Sequence, residues 1–231
     1  MASHMLDTNH LLLQYAAGRL SYAESLMIAS HLALNPSARH KLSVYEKMGG
    51  QLIDDLEPSA LSHNCLDAVL KSIDCGDHGH DCVEPVSYQN SPLPDGLALP
   101  KVLTNLLAKS CVAKASCWKR ISDGIDIFEF SLPKTAENEA KHILRLMRLK
   151  AGYQTPEHKH QGTEYTLVLD GAFEDCYGRY GVGDVAIIDH ELHSHSPKAC
   201  PERGCICLTL TSQPLRFTNP VVRLLNVFWK I

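Results

Sequence analysis

The stretch that decides the fold is His158-Lys-His160-Gln-Gly-Thr-Glu164, followed by Gly183-Asp184-Val-Ala-Ile-Ile-Asp-His-Glu-Leu-His193-Ser-His195. On an extended segment residues i and i+2 share a face, so His158 and His160 project to the same side. Glu164 can complete that side with a carboxylate, and the later strand supplies another imidazole from His193 or His195. Imidazoles and a carboxylate converging from separate strands form a metal cage, and the frame that brings such strands together is a β-barrel.

The flanking sequence supports that frame. Short, β-rich runs occupy 118–121, 125–130, 142–149, 164–169, 185–188, 205–210 and 215–218, with Gly or Pro between them. Seven short strands imply a sandwich or barrel. Asp170-Gly171 and the stretch from Gly178 to Gly183 read as turns joining hairpins, and the strand signal begins near Leu103. Cys205 and Cys207 alternate along one strand and so share a face, a poor geometry for a mutual disulfide.

The first seventy-odd residues carry a different pattern. Asn9 can cap a helix bearing Leu11, Leu12 and Tyr15 that Gly18 ends. Ser21-Tyr-Ala-Glu24 is a capping box opening a second helix that runs to about Leu34. Asn35-Pro36 restarts the chain as N-cap and first helical residue, and Leu42, Tyr45, Met48 and Leu52 continue at helical spacing. A fourth helix opens at Ser59-Ala-Leu-Ser62 and carries Leu66, Val69, Leu70 and Ile73. Four short helices make a small bundle with little core of its own. From Cys75 to about Pro100 the periodicity gives way to linker composition. Within it Cys75, His78, His80 and Cys82 read as incidental ligands of a loop. The expected organisation is α + β multidomain: a helical bundle over 1–76, a linker over 77–100 and a double-stranded β-barrel over 101–231.

Composition narrows the function classes. A net charge of -4, a pI near 6.3 and the lack of a long basic block give no electrostatic basis for direct nucleic-acid binding. No apolar run is long enough for a membrane helix, and no secretory leader is visible. Met1-Ala-Ser-His4-Met5 reads as a cloning remnant ahead of a native Met5, so His4 is set aside. Nine cysteines, an odd number, fit a reducing compartment, and the cytoplasm is the expected location.

The H-x-H-x3-E run, the strand ending in Leu169-Asp170-Gly171-Ala-Phe173 and the later Gly-Asp with a downstream His resemble the two metal-binding motifs of the cupin superfamily. Over nearly its whole length the chain resembles the ChrR-type anti-sigma factors. The resemblance is carried by Tyr15-Ala-Ala-Gly18, His31, the Glu164–Phe173 block, Gly204-Cys205-Ile-Cys207-Leu208 and Pro214-Leu-Arg-Phe217. In that family pattern the metal-binding His precedes Ser196-Pro197, which implies His195, with His193 as the alternative. The resemblance further implies a metal set of His158, His160, Glu164 and His195 holding one zinc ion in the cupin domain, with no catalytic residues. Its helical domain is expected to clamp an ECF-type sigma factor through apolar positions such as Leu11, Leu12, Leu26 and Leu42. The cupin is expected to sense an oxidative signal such as singlet oxygen and trigger release. No nucleic acid or membrane partner is implied, while a homodimer is compatible with the sequence.

The chain departs from the family at the N-terminal zinc motif, H-x3-C-x2-C with a further upstream His. Here the stretch is His31-Leu-Ala-Leu-Asn35-Pro-Ser-Ala38, and Leu6 takes the upstream position, so an N-terminal zinc site is expected to be lost. His31 then reads as a helix-end residue that satisfies carbonyls. The competing reading is a cupin dioxygenase or isomerase carrying iron, manganese or nickel, with the helices serving oligomerisation.

Overall fold

The computed structural model describes residues 8–60, 62–74, 97, 99–112, 118–132, 142–189, 194–212 and 216–217. The Cys75–Cys82 run, nearly all of the expected linker and His193 lie outside the described residues.

Among the described residues the helices are α1 (Thr8–Ala16), α2 (Tyr22–Leu34), α3 (Pro36–Asp54), α4 (Cys65–Asp74) and α5 (Lys101–Val112). Their ends follow from local chemistry. The Glu24 amide donates to Ser21 Oγ at 3.3 Å and the Ser21 amide donates to Glu24 Oε2 at 3.0 Å, closing the capping box of α2. Asn35 accepts from the Ala38 amide at 3.0 Å, and Pro36 opens α3. Two boundaries differ from the sequence reading. The fourth helix begins at Cys65, because Asn64 adopts a left-handed φ of 71° just before it. The stretch from Leu103 is helix α5, not strand: Leu103, Leu106 and Leu107 stand at helical spacing and are all buried.

The strands are β1 (Lys119–Ser122), β2 (Ile125–Glu129), β3 (Ile143–Leu149), β4 (His158–Lys159), β5 (Glu164–Asp175), β6 (Gly178–Gly181), β7 (Val185–Ile188), β8 (Lys198–Ala199), β9 (Cys205–Thr211) and β10 (Arg216–Phe217). An antiparallel path runs β1-β2-β3-β9-β5-β6, with β7 and β8 also pairing β5, while β10 pairs β4. Asp170-Gly171 is not a turn but lies within β5, at a bulge between Val168 and Asp170. Gly171 takes φ 71°, and a Cβ there would sit 2.1 Å from the Gly204 carbonyl oxygen, so the two strands approach too closely for any side chain. Gly178 to Gly181, read as turn material, forms β6 against the end of β5.

Period-two alternation divides the barrel into two faces. Met147, Leu149, Thr166, Ala186, Ile188, Cys207 and Thr209 line an interior cavity. Leu144, Leu146, Leu167, Leu208 and Leu210 face the other way and form one buried cluster with Leu103, Leu106 and Leu107 of α5 and Ala23, Leu26 and Met27 of α2. Both faces are covered, which is why these strands read as near-continuous apolar runs. A second cluster joins Leu11, Leu12, Ile28, Leu32 and Ala38 to Ile187 of β7.

The helices are therefore not a free-standing bundle. Leu11, Leu12 and Leu26 are inside the chain's own core, not on a surface offered to a partner. Burial of side chains of this size contributes about 1.5–3 kcal/mol each. The helix-barrel contact is completed at the α2–α3 junction, where the His31 ring donates from Nδ1 to the Gly183 carbonyl oxygen at 2.8 Å. A different face stays uncovered: Met48, Leu52, Ile53 and Leu56 at the end of α3 and Leu66, Val69, Leu70 and Ile73 on α4 are all exposed.

Candidate metal centre

His158 and His195 face each other across an antiparallel bridge. Each donates its amide to the other's carbonyl, at 3.1 Å and 3.0 Å, so the backbone fixes their side chains on one side. His160 follows two residues after His158 and brings its ring to the same point. The ring centroids lie 4.5 to 5.1 Å apart, and one ligand atom from each of the three lies within 4.8 Å of the other two. All three side chains are buried.

Hydrogen bonds select which ring nitrogen can bind an ion. His158 Nδ1 stands 2.8 Å from the Pro156 carbonyl oxygen, which can only accept, so Nδ1 carries the proton and Nε2 keeps its lone pair. His195 Nδ1 donates to Asp175 Oδ2 at 2.9 Å, leaving Nε2 as its ligand atom. The Asp175 carboxylate is fully buried, and its other oxygen accepts from the amides of Tyr177 at 2.8 Å and Gly178 at 3.2 Å. This is the carboxylate–histidine pairing that orients metal-binding imidazoles in known sites. His160 Nε2 lies 2.9 Å from His195 Nε2, and its Nδ1 lies 3.4 Å from Glu164 Oε2. An ion held by both Nε2 atoms would replace the hydrogen bond between them and leave the His160 proton on Nδ1, toward Glu164.

Burial shapes the titration of the group. Desolvation, followed by the field of His195, lowers the pKa of His158 to about 4 and that of His160 to about 3. Both are neutral at physiological pH, the form in which imidazole binds a metal. A dry set of three imidazoles with a nearby carboxylate fits zinc and the other borderline first-row ions.

The residues singled out from sequence fall into three positions. His158, His160 and His195 converge. Glu164 sits beside His160 on the cavity wall, where Thr166 Oγ1 donates to its Oε1 at 2.9 Å, but it is not part of the mutually close histidine group. His193 lies outside the described residues. Asp175 was missed in the sequence because nothing marks it until the bulge in β5 is known. His31 is remote from the centre and, as expected of a helix-end residue, satisfies a carbonyl, though the carbonyl belongs to the barrel. Cys205 and Cys207 are buried, and Cys207 shares the cavity wall with the histidines.

Comparison with known proteins agrees with this architecture. The family model for the ChrR Cupin-like domain matches residues 109–214. The anti-sigma-E factor ChrR of Cereibacter sphaeroides is 35% identical over 233 residues, covering 99% of this chain and 98% of that protein. The crystal structure of Rhodobacter sphaeroides SigE in complex with the anti-sigma ChrR aligns with a TM-score of 0.65 at 32% identity, over 90% of this chain and 98% of that one.

Proposed function

Because the chain belongs to the ChrR family of anti-sigma factors, we propose that it sequesters an ECF-type sigma factor in the cytoplasm and releases it under oxidative stress of the singlet-oxygen kind. The proposed division assigns sigma binding to the helical part, residues 1–76, and sensing to the barrel, residues 101–231, joined through 77–100. No catalytic step is assigned to the chain. The proposed metal set is His158, His160, Glu164 and His195 around one zinc ion, which when bound supplies a structural tie between β4, β5 and the segment before β8.

The observation that carries the sigma-binding role is the exposed apolar ridge on α3 and α4. Met48, Leu52, Ile53, Leu56, Leu66, Val69, Leu70 and Ile73 have 48% to 70% of their surface in water. Large apolar side chains left in water in this number on two helices mark a partner site. The occupant proposed for it is a helical segment of the sigma factor, packed as an amphipathic helix packs into a groove. The remaining apolar faces of α1 and α2 rest on the barrel, so a change inside the barrel has a packed route to the helices. Oxidation of an imidazole or a thiol would alter the cage, and the clusters containing Leu26, Met27 and Ile187 would carry that change outward.

The test is co-expression of the full chain with the sigma factor encoded beside it, followed by co-purification. Leu66→Asp with Leu70→Asp is expected to abolish the complex while leaving the barrel folded. An intact complex would overturn the assignment of the ridge. For the sensing half, His158→Ala or Glu164→Ala should change oxidant-induced release; unchanged release would remove the cage from the mechanism.

A further inference from the structure

Where the helices meet the barrel there is a polar cleft of about 330 Å³ that shares no lining residue with the histidine cavity. Ser37, Lys41, Arg179 and Tyr180 bring hydrogen-bond donors to its lining, two of them cationic. The Lys41 ammonium is steadied by Asn9 Oδ1 at 2.9 Å. The start of α3 opens onto the same space. Pro36 has no N–H, the Ala38 amide is taken by Asn35 Oδ1 at 3.0 Å, and the Arg39 amide by the Asn35 carbonyl at 3.2 Å. The Ser37 amide is left without an acceptor among the described residues, at the positive end of a 19-residue helix.

Two acceptors stand among these donors. His31 is only 4% exposed, and its Nδ1 is committed to the Gly183 carbonyl. Its ring also lines the cleft, and Nε2 has no partner among the described residues. Burial lowers the His31 pKa, outweighing the Gly183 hydrogen bond and the Asp184 carboxylate, and Lys41 acts in the same direction as burial. The ring is therefore neutral at physiological pH, and Nε2 keeps a lone pair. Asp184 Oδ2 accepts from the Gly181 amide at 2.9 Å, which leaves Oδ1 open. His31 and Asp184 alone are too few ligands for a structural metal ion. Cationic donors at a helix N-terminus favour an oxyanion, whereas two lone-pair acceptors beside them disfavour one that carries no proton.

We infer that this cleft binds hydrogen phosphate, its bare oxygens on Ser37, Lys41 and Arg179 and its P–OH turned to His31 Nε2 and Asp184 Oδ1. Sulfate has a similar shape and charge but no proton to donate. A phosphomonoester loses its last proton near pH 6 and so presents no donor at higher pH, which makes inorganic phosphate the ligand. The cleft is lined from α1, α2, α3, β6 and β7, so the bound ion ties the helices to the barrel. The site requires nothing of the sigma factor and stands or falls separately from the anti-sigma reading.

The probe is sodium phosphate, titrated into the full chain at about pH 8 and followed by calorimetry and backbone amide NMR. Saturable binding is expected, with the largest shifts at Ser37, Tyr180 and Asp184. Sulfate and methyl phosphate should each bind at least about tenfold more weakly, the factor that one hydrogen bond supplies. Lys41→Met and Arg179→Gln, both at exposed positions, should each weaken phosphate about tenfold while Tm and zinc affinity stay those of the parent. Asp184→Asn keeps an acceptor for the Gly181 amide and turns a donor into the cleft, so it should weaken phosphate, tighten sulfate and bring their ratio toward one. Phosphate binding that does not saturate or that shifts amides elsewhere would overturn the proposal. So would equal binding of sulfate by the parent, undiminished phosphate binding by Lys41→Met or Arg179→Gln, or an unchanged ratio in Asp184→Asn.

Discussion

Replacing Gly183 with alanine tests whether the helices are fastened to the barrel as a unit. Gly183 has φ 87°, a left-handed conformation that costs an L-residue about 1–2 kcal/mol. A Cβ there would also stand 3.3 Å from the Leu34 carbonyl oxygen and 3.5 Å from its carbon. That contact can be relieved only by moving the α2–α3 junction away from the turn before β7. The same movement stretches the 2.8 Å hydrogen bond from His31 to the Gly183 carbonyl. A buried donor left unpaired costs about 1–3 kcal/mol, so the whole change should destabilise the chain by about 2–5 kcal/mol. With a urea m-value of about 3 kcal/mol/M for a chain of this size, the midpoint should fall by roughly 1 M. Hydrogen exchange should show the α2–α3 junction losing protection before the strands do. Gly49→Ala is the control: its Cβ meets nothing within 4 Å in the middle of α3, so it should stabilise the chain by about 0.5–1 kcal/mol. A Gly183→Ala midpoint within error of the parent, with unchanged exchange at α2, would refute the coupling.

Three further outcomes follow from the metal centre and the thiols. Asp175→Asn should lower zinc affinity about 10–100-fold, read by competition with a chromophoric chelator, because the amide no longer holds His195 in the ligating tautomer; unchanged affinity would mean the carboxylate does not orient the ring. In the metal-stripped chain His158 and His160 titrate near 4 and 3 when folded and near 6.5 when unfolded. The unfolded state thus binds more protons below pH 6.5, so stability is full above that pH and falls as pH drops, by about 2 kcal/mol per histidine at pH 5. A Tm that is flat from pH 7.5 to 5 would contradict it. Cys207 has its thiol pushed well up by its hydrogen bond with Cys205 and by burial, whereas Cys176 is exposed. Iodoacetamide should therefore modify Cys176 quickly and Cys207 only on unfolding, and rapid native-state labelling of Cys207 would rule this out.

What could be read from the chain was whatever local chemistry determines. Ser21 with Glu24, and Asn35 with Pro36, set two helix starts by hydrogen bonds that span three residues. The H-x-H spacing placed two imidazoles on one side of the extended segment that begins with β4. Helix α5 was missed because Leu103, Leu106 and Leu107 sit directly before a strand-rich region and their helical spacing spans little more than one turn. The exposed and buried faces of the helices were also exchanged. Leu11, Leu12 and Leu26 looked like a partner surface, yet the barrel's outer leucines cover Leu26, and Ile28, Leu32, Ala38 and Ile187 enclose Leu11 and Leu12. Amphipathicity reports that a face will be buried but not against what, and only the tertiary arrangement shows that α3 and α4 keep the open ridge.

The position of Asp175 shows how a single backbone irregularity decides the chemistry of the site. Before the bulge in β5 the even-numbered residues Glu164 and Thr166 line the cavity, while Leu167 and Leu169 face the helices. After it the odd-numbered residues Phe173 and Asp175 line the cavity. One extra residue between Val168 and Asp170 shifts the phase of the strand by one, and without that shift Asp175 would point outward. Gly171 makes the shift affordable, since its left-handed φ and the 2.1 Å that a Cβ would leave to the Gly204 carbonyl exclude other residues. The Asp170-Gly171 pair, which looks like a hairpin turn in the sequence, is thus the device that turns a carboxylate inward to hold His195. Gly171→Ala should for that reason disturb the metal centre as well as the fold. Zinc affinity of the folded fraction should fall toward that of Asp175→Asn, and a variant that loses stability while binding zinc as the parent does would show that the bulge and the centre are independent.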